Sequence, residues 1–324
     1  MGRLKIVYPV CCGMDVHRDF LIACIAATNA QGVTEYQSRR FSTYTGSLRE
    51  LRDWLLANDC KDVCMESTGK YWFPVHNILE ESCHVVVSHP KFVKAIKGKK
   101  TDKKDAQWIA DLFKHDLVRG SFIPPKDIRQ LRDLCRYWVK LSSYMTGEKN
   151  RAQNCLTVSN FKLDDVFSNV FGKSASAITT QLLEHPGEQF DVAPFVDGRC
   201  KTPIAQIQEA VDGIFTYEQA EKLKIIRGHM DSLERHKADL ESLILEIAQN
   251  YLPQIELLLT VPGIHDAFTA IRILAEIGAD MTVFDTSKHL CSWAGLTPQN
   301  AESAGKKKTT RIGKSGAYLK PLLI

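Results

Sequence analysis

Four carboxylates could act together on a cation, and two of them, Asp15 and Glu66, occupy positions where such a side chain costs free energy unless something binds it. Asp15 interrupts the apolar run Val10-Cys-Cys-Gly-Met-Asp15-Val. Glu66 follows Val63-Cys-Met and precedes Ser67-Thr-Gly69, at the join between an apolar run and a glycine turn. An unpaired buried charge is expensive, so such groups have a cation partner or stand at the rim of a sheet. Asp102 and Asp105 lie in Lys100-Thr-Asp-Lys-Lys-Asp105-Ala, where an amphipathic stretch begins. Their i, i+3 spacing puts both on one helix face, near an N-terminus that favours acids. Acids at two strand ends and one helix start can meet on one rim of a sheet. There they could hold hard cations, since Mg2+ takes carboxylate, water and phosphate oxygens. Two such ions about 4 Å apart activate the attacking oxygen and stabilise the leaving one in phosphodiester chemistry. Each acid also has a plainer account, as a turn residue at a strand end or as part of a helix cap formed by Thr101 or Asp102. Taken singly, the residues leave both accounts open.

The elements that must position these acids can be read from hydrophobic spacing. Residues 7–16, 20–28 and 34–41 read as three successive strands, joined at His17-Arg18-Asp19 and Asn29-Ala-Gln-Gly32. Leucines 48, 51, 55 and 56 with Trp54 predict a helix packed on a sheet. Buried strands at 62–66 and 85–88 are separated by a helical stretch around 73–81, and 102–115 is a further amphipathic helix. Three adjacent strands followed by alternating helices and strands predict a mixed sheet covered by helices.

After about residue 127 the strand signal disappears. Leu131, Leu134, Trp138, Leu141 and Met145 recur in steps of three and four. Leu223, Ile226, Met230, Leu233, Lys237, Leu240, Ile244, Ile247 and Tyr251 form a heptad seam with one polar position, Lys237. The seam fits a helical hairpin or coiled coil, within one chain or between chains. The Gly/Pro-punctuated stretch at about 158–216 has helical segments near 174–183 and 203–214. Val261-Pro-Gly-Ile-His265, followed by a small-residue helix over 267–277, is similar to a helix-hairpin-helix, whose turn amides can hold a nucleic-acid phosphate. The expected domains are 1–126, an α/β domain; 127–251, a helical arm with its insert at about 158–216; and 252–324, a small, mainly α domain.

Bulk properties narrow the class of molecule. At 324 residues the chain exceeds one typical core. With 44% hydrophobic and 25% charged residues it reads as an ordinary globular protein. No apolar run approaches the roughly 18 residues of a membrane span, and Met1-Gly-Arg-Leu-Lys does not open a signal peptide. A cytoplasmic protein is expected. Several of the ten cysteines lie in apolar strand-like runs, where a free thiol acts as a small hydrophobe. Cys60, Cys64, Cys83 and His84 match no usual zinc spacing.

The net charge of +4 is modest but uneven. Seven lysines (91, 94, 97, 99, 100, 103 and 104) face one acid, Asp102, within residues 91–104. From Lys306 onward there are five lysines, one arginine and no acid. Lys97, Lys99, Lys100, Lys103 and Lys104 flank the acidic pair. Lys306, Lys307, Lys308, Arg311 and Lys314 form the second cluster. Such clusters suit contacts with a polyanion at particular places, or else solvated loops.

Six blocks now carry a resemblance. Gly13-Met-Asp15-Val, Met65-Glu66-Ser-Thr-Gly-Lys-Tyr-Trp72 and Lys100-Thr-Asp102-Lys-Lys-Asp105-Ala resemble the N-terminal blocks of the DEDD transposases of bacterial insertion sequences. Ser292-Trp-Ala-Gly-Leu-Thr-Pro298, Glu302-Ser303-Ala-Gly-Lys-Lys and Gly313-Lys-Ser-Gly resemble their C-terminal transposase block. The resemblance runs from about residue 7 to the end, with both halves in order. It implies an RNase H-like (RuvC-type) α/β domain, a coiled-coil arm and a C-terminal transposase domain. It further implies that Asp15, Glu66, Asp102 and Asp105 bind Mg2+, as two ions, and that Ser303 is the nucleophile. Donor and target DNA, a guide RNA encoded by the element, and a homodimer or tetramer are the implied partners. Because the family continues for several helices past Leu323, a shortened C-terminal domain is expected here.

A serine hydroxyl is a weak nucleophile until a base or metal activates it. Once activated it can attack a DNA phosphate and store the bond as a phosphoserine ester, with the second basic cluster holding the backbone. Three other functions compete with this one. Water could attack instead, as in a nuclease or junction resolvase. The same chemistry could serve a DNA invertase. A shortened chain could also bind nucleic acid and regulate without catalysis.

Overall fold

The computed structural model describes residues 4–93, 101–298, 301–303, 306–312 and 316–324, with backbone alone at 301–303 and 306–309. The chain divides into two compact units, Met1–Lys126 and Asp127–Ile324.

In the first unit the elements run β1 (Val10–Val16), β2 (Phe20–Thr28), β3 (Thr34–Ser42), α1 (Thr45–Ala57), β4 (Asp62–Glu66), α2 (Trp72–Leu79), β5 (His84–Ser88), α3 (Pro90–Val93) and α4 (Asp102–Lys114). The sheet order is β3-β2-β1-β4-β5. β1, β2 and β3 pair antiparallel, whereas β4 and β5 run parallel to β1. This is the mixed α/β sheet covered by helices that the hydrophobic spacing predicted. The first strand starts later than its apolar run. The Val7 and Tyr8 amides donate to Lys114 O at the end of α4, at 2.8 and 3.1 Å, so those residues are spent on the helix.

Alternation along the strands sorts the residues between two faces. Cys12, Met14 and Val16 of β1 and Val63 and Met65 of β4 face Leu48, Leu51, Leu55, Val75 and Leu79 of α1 and α2. Fully burying one such leucine is worth about 1.5–3 kcal/mol. Cys11 and Cys64 face the other way, against Ile109, Ala110 and Phe113 of α4. Asp15 and Glu66 share the parity of that second face, so the strand period itself directs both acids toward α4.

One glycine permits the close fit. A Cβ on Gly13 would stand 2.9 Å from Ala110 Cα, and nearer still to Ala106 O and Ala110 N. Only a residue without a side chain lets α4 lie this deep on β1.

The second unit contains α5 (Lys126–Val158), α6 (Leu163–Val166), α7 (Lys173–Glu184), α8 (Ile204–Ala210), α9 (Tyr217–Ala248), α10 (Leu252–Leu259), α11 (Ala267–Ile277), α12 (Ser287–Trp293), β6 (Ala301–Ser303), β7 (Lys306–Thr309) and α13 (Lys320–Leu323). The heptad seam of α9 turns inward along its length. Leu223 and Ile226 join Ala152, Cys155 and Leu156 of α5 in one core, with Ile178 and Leu182 of α7. At the other end Ile244 and Ala248 join Ile128, Leu131 and Cys135 of α5. The two long helices therefore pair antiparallel within the chain. Lys237, the polar seam position, lies 4.2 Å from the centre of the Trp138 ring, and Trp138 Nε1 donates to Glu241 Oε1 at 2.7 Å. The helix expected over 203–214 ends at Ala210, and the chain then turns back to pair Lys162 N with Ala210 O at 2.9 Å.

The end of α11 belongs to the α5–α9 core rather than to a separate one. Ile271, Leu274 and Ile277 pack with Ile128 and Leu131. Arg132 donates to Ala275 O and Glu276 O, both at 2.8 Å, which satisfies carbonyls at a helix C-terminus. Arg136 grips the buried Glu276 carboxylate with two bonds of 2.7 Å. In the hairpin-like segment Gly263 has φ +96°, and Asp266 caps α11 by accepting from Thr269 N at 2.8 Å.

Candidate metal centre

Asp15 and Glu66 end neighbouring parallel strands. Met14 is paired with Met65, so the two acids follow side by side at the same edge of the sheet. Asp102 and Asp105 occupy the first turn of α4. Thr101, rather than Asp102, caps that helix: its hydroxyl accepts from Lys104 N at 3.3 Å and its carbonyl from Asp105 N at 3.0 Å. With Thr101 as the cap and both aspartates in the first turn, the plainer account of that pair holds, and it leaves their carboxylates available to a cation as well. All four acids line one cavity of about 670 Å3, together with His17, Thr68, Lys91 and Trp108.

The electrostatics of the cavity invite a cation. Burial pushes the Asp15 carboxyl above the usual carboxylate range. His17 draws it back down, and Asp102 and Asp105 push it up again. An acid whose charged form is disfavoured by burial and by like charges is stabilised when a cation enters. The donor set, oxygens from two strand ends and one helix, fits a divalent ion. Asp15, His17 and Asp102 can each offer one atom, all within 4.8 Å of one another. Trp108 presents a buried indole N–H that finds no acceptor among the described residues, which fits an oxygen-rich ligand in the cavity.

Three contributors were not singled out by sequence reasoning. His17 reads as a turn residue, yet its Nε2 lies 3.2 Å from Asp15 Oδ2. The signal for it was its place two residues after a suspect aspartate. Thr68 donates to Glu66 Oε1 at 2.8 Å and orients it. Gly13 bears on the site only through its closeness to α4.

The basic residues divide differently. Lys103 and Lys104 are exposed on the first turn of α4. Lys97, Lys99, Lys100 and Lys314 lie outside the described residues. The region of Ser303 contains a two-stranded antiparallel ribbon within a domain expected to be mainly α. Ser303 ends β6 and pairs with Lys306 of β7, so Lys306, Lys307 and Lys308 share its ribbon. Pairing with a neighbouring strand satisfies backbone groups that a loop would leave to water. Arg311 is exposed just beyond it. The acids belong to the first unit and Ser303 to the second.

Two family models match the chain. Residues 12–160 match the family model for the DEDD transposase of IS110, described as a transposase. Residues 255–324 match the transposase model of the IS116/IS110/IS902 family. No curated protein matches the chain. Among solved structures, the chain is similar to Thermus thermophilus RuvC at 14% identity, over 35% of this chain and 99% of that one, with a TM-score of 0.28. It is also similar to T. thermophilus RuvC in complex with Holliday junction substrate, at 13% identity over 35% and 99% of the two chains, TM-score 0.27. A third is the Fowlpox virus resolvase in complex with its substrate Holliday junction DNA, at 14% identity over 32% and 72%, TM-score 0.22. No described helix is long and apolar enough to cross a membrane.

Proposed function

The chain belongs to the DEDD transposases of insertion sequences, enzymes that act on DNA, and we propose that it cuts and rejoins DNA with Asp15, Glu66, Asp102, Asp105 and Ser303. The observation that carries this reading is the meeting of all four acids around one cavity. Divalent cations bound there, two Mg2+ ions in this reading, supply charge neutralisation for the phosphate and activation of the attacking oxygen. Asp15 and Glu66, fixed by the strand register, and Asp102 and Asp105, fixed by the Thr101 cap, hold those cations. Trp108, whose indole N–H finds no acceptor among the described residues, lines the same cavity.

In the cutting step the Ser303 hydroxyl attacks a DNA phosphorus and gives up its proton to a base. The bond from that phosphorus to the deoxyribose oxygen breaks, leaving a free DNA hydroxyl and a phosphoserine ester. A hydroxyl of the other DNA strand then attacks the ester and restores the serine. Lys306, Lys307, Lys308, Arg311 and Lys314 would hold the backbone beside Ser303, and Lys97, Lys99, Lys100, Lys103 and Lys104 would hold it beside the acids.

The finer partners rest on family resemblance. We assign to the chain a guide RNA encoded by its element, pairing with donor and target DNA, and a place in the cytoplasm on the nucleoid. We assign assembly into dimers or tetramers to the helical arm, whose α9 seam packs toward both ends within the chain. It would fall to the exposed Ile225, Leu243 and Leu245 of α9.

A second reading, water attack by the acidic site alone, is favoured by one fact: that site is assembled wholly within the first unit. A DNA substrate with its metal distinguishes the two. A covalent protein–DNA adduct that disappears in Ser303→Ala supports the serine mechanism. Cleavage that survives in Ser303→Ala without an adduct supports water attack, and cleavage that survives Asp15→Ala and Asp102→Ala would remove the acidic site from both.

A further inference from the structure

The acids are not the only metal-ligating groups at the cavity. His17 follows β1 directly, and its ring is held in place. Its amide donates to Phe20 O at 2.9 Å. Its ring centre lies 4.8 Å from that of Phe20, tilted by 38°, and the Arg40 guanidinium stands 3.9 Å from the centre of the same phenyl ring. So held, His17 Nε2 is 3.2 Å from Asp15 Oδ2 and 3.7 Å from Asp102 Oδ1.

Those separations matter. Neighbouring donors of an octahedral ion with bonds of about 2.1 Å stand about 3 Å apart. A histidine that only oriented Asp15 would need one carboxylate partner. This nitrogen faces two, on two different elements, β1 and α4.

The geometry points to His17 as a nitrogen ligand of the cation held by Asp15 and Asp102, giving the site a preference for Mn2+ and later first-row ions over Mg2+. The inference rests on the carboxylate reading proposed above and adds a donor to it. Mg2+ is satisfied by oxygen and water and gains little from an imidazole. First-row ions bind nitrogen donors with affinity rising from Mn2+ onward. Phe20 and Arg40 act at one remove, by keeping the ring aimed at the carboxylates.

The full-length chain with Mn2+ alone as the probe tests this without any catalytic assay. Pulsed electron paramagnetic resonance of bound Mn2+ reads coupling to a directly ligated nitrogen. The wild-type chain should show that coupling, and His17→Ala should lose it. Titration should find Mn2+ affinity lowered about tenfold in His17→Ala and Mg2+ affinity changed by less than about twofold. Thermal melting of His17→Ala with no metal added should match the wild type, because the side chain sits on a partly exposed turn.

Mn2+ bound to the wild type without nitrogen coupling would overturn the ligand assignment and leave the carboxylate site standing. Coupling that persists in His17→Ala would do the same, because another histidine would be its source. Failure of the wild type to bind Mn2+ at all, or full binding by Asp15→Asn, would overturn the carboxylate reading together with the inference.

Discussion

Gly13 on β1 lies against Ala110 on α4 so closely that a Cβ at position 13 would stand 2.9 Å from the Ala110 Cα. The contact fixes the height of the helix whose first turn carries Asp102 and Asp105 over the strand that carries Asp15. Gly13→Ala is therefore expected to push α4 outward. Overpacking of this kind costs about 1–3 kcal/mol, read as a lower midpoint in chemical denaturation. Divalent-ion affinity should fall as well, measured by titration at a temperature where the variant is folded. An unchanged affinity in a destabilised variant would show that the helix height does not tune the site.

Asp15 carries a charge that its surroundings disfavour. Its carboxyl is raised by burial and by Asp102 and Asp105, against the opposing pull of His17. A raised folded value means that the native state holds the proton more tightly than the unfolded chain does. The charged form then costs stability above that value, and the cost is relieved as pH falls through it. Asp15→Asn should melt at a higher temperature than the wild type at neutral pH without divalent ions, and the gap should close toward acid pH. Millimolar divalent ion should raise the melting temperature of the wild type and leave that of Asp15→Asn unchanged.

Among the described residues Glu276 is the one buried carboxylate, and it lies between two arginines of α5. Arg136 binds it through two nitrogens, and burial lowers Arg132 beside it to about 10. Glu276→Gln keeps the shape but removes the charge that compensates both. Breaking a buried pair in this way costs about 2–4 kcal/mol after allowance for the partly exposed Arg136. Equilibrium denaturation should show that loss, and Arg136→Met in the same background should recover part of it.

Thiol reactivity should follow burial. Burial pushes the Cys11, Cys64 and Cys135 thiols up to about 12, and it holds Cys12 and Cys60 well above the usual thiol value. Eight of the ten cysteines are buried, whereas Cys200 and Cys291 are partly exposed. Alkylation of the native chain at pH 8, followed by mass spectrometry, should label those two first. The others should react only on unfolding, because the thiolate is the reactive form. Fast labelling of Cys11 or Cys64 would mean that α4 lifts off the sheet.

The acids themselves were legible because each breaks a local pattern, in an apolar strand or at a helix start. Their convergence was open from spacing alone and implied by the resemblance; its geometry depends on β1 pairing with β4 across nearly fifty intervening residues. His17 was hidden for a related reason: a histidine in a turn has no signature until the strand behind it is placed beside α4. The seam on α9 was visible as a heptad, but whether it met its own chain or another copy was a matter of what lay opposite.

Periodicity and residue type, which are local, were enough to determine the strands of the first unit, the long helices and the four suspect carboxylates. Register, helix height and pairing arise from contacts between residues far apart in sequence, and only the tertiary structure decided them. That is why it alone placed Asp15 beside Glu66, set the Asp15–His17–Asp102 cluster, and closed the α9 seam against α5.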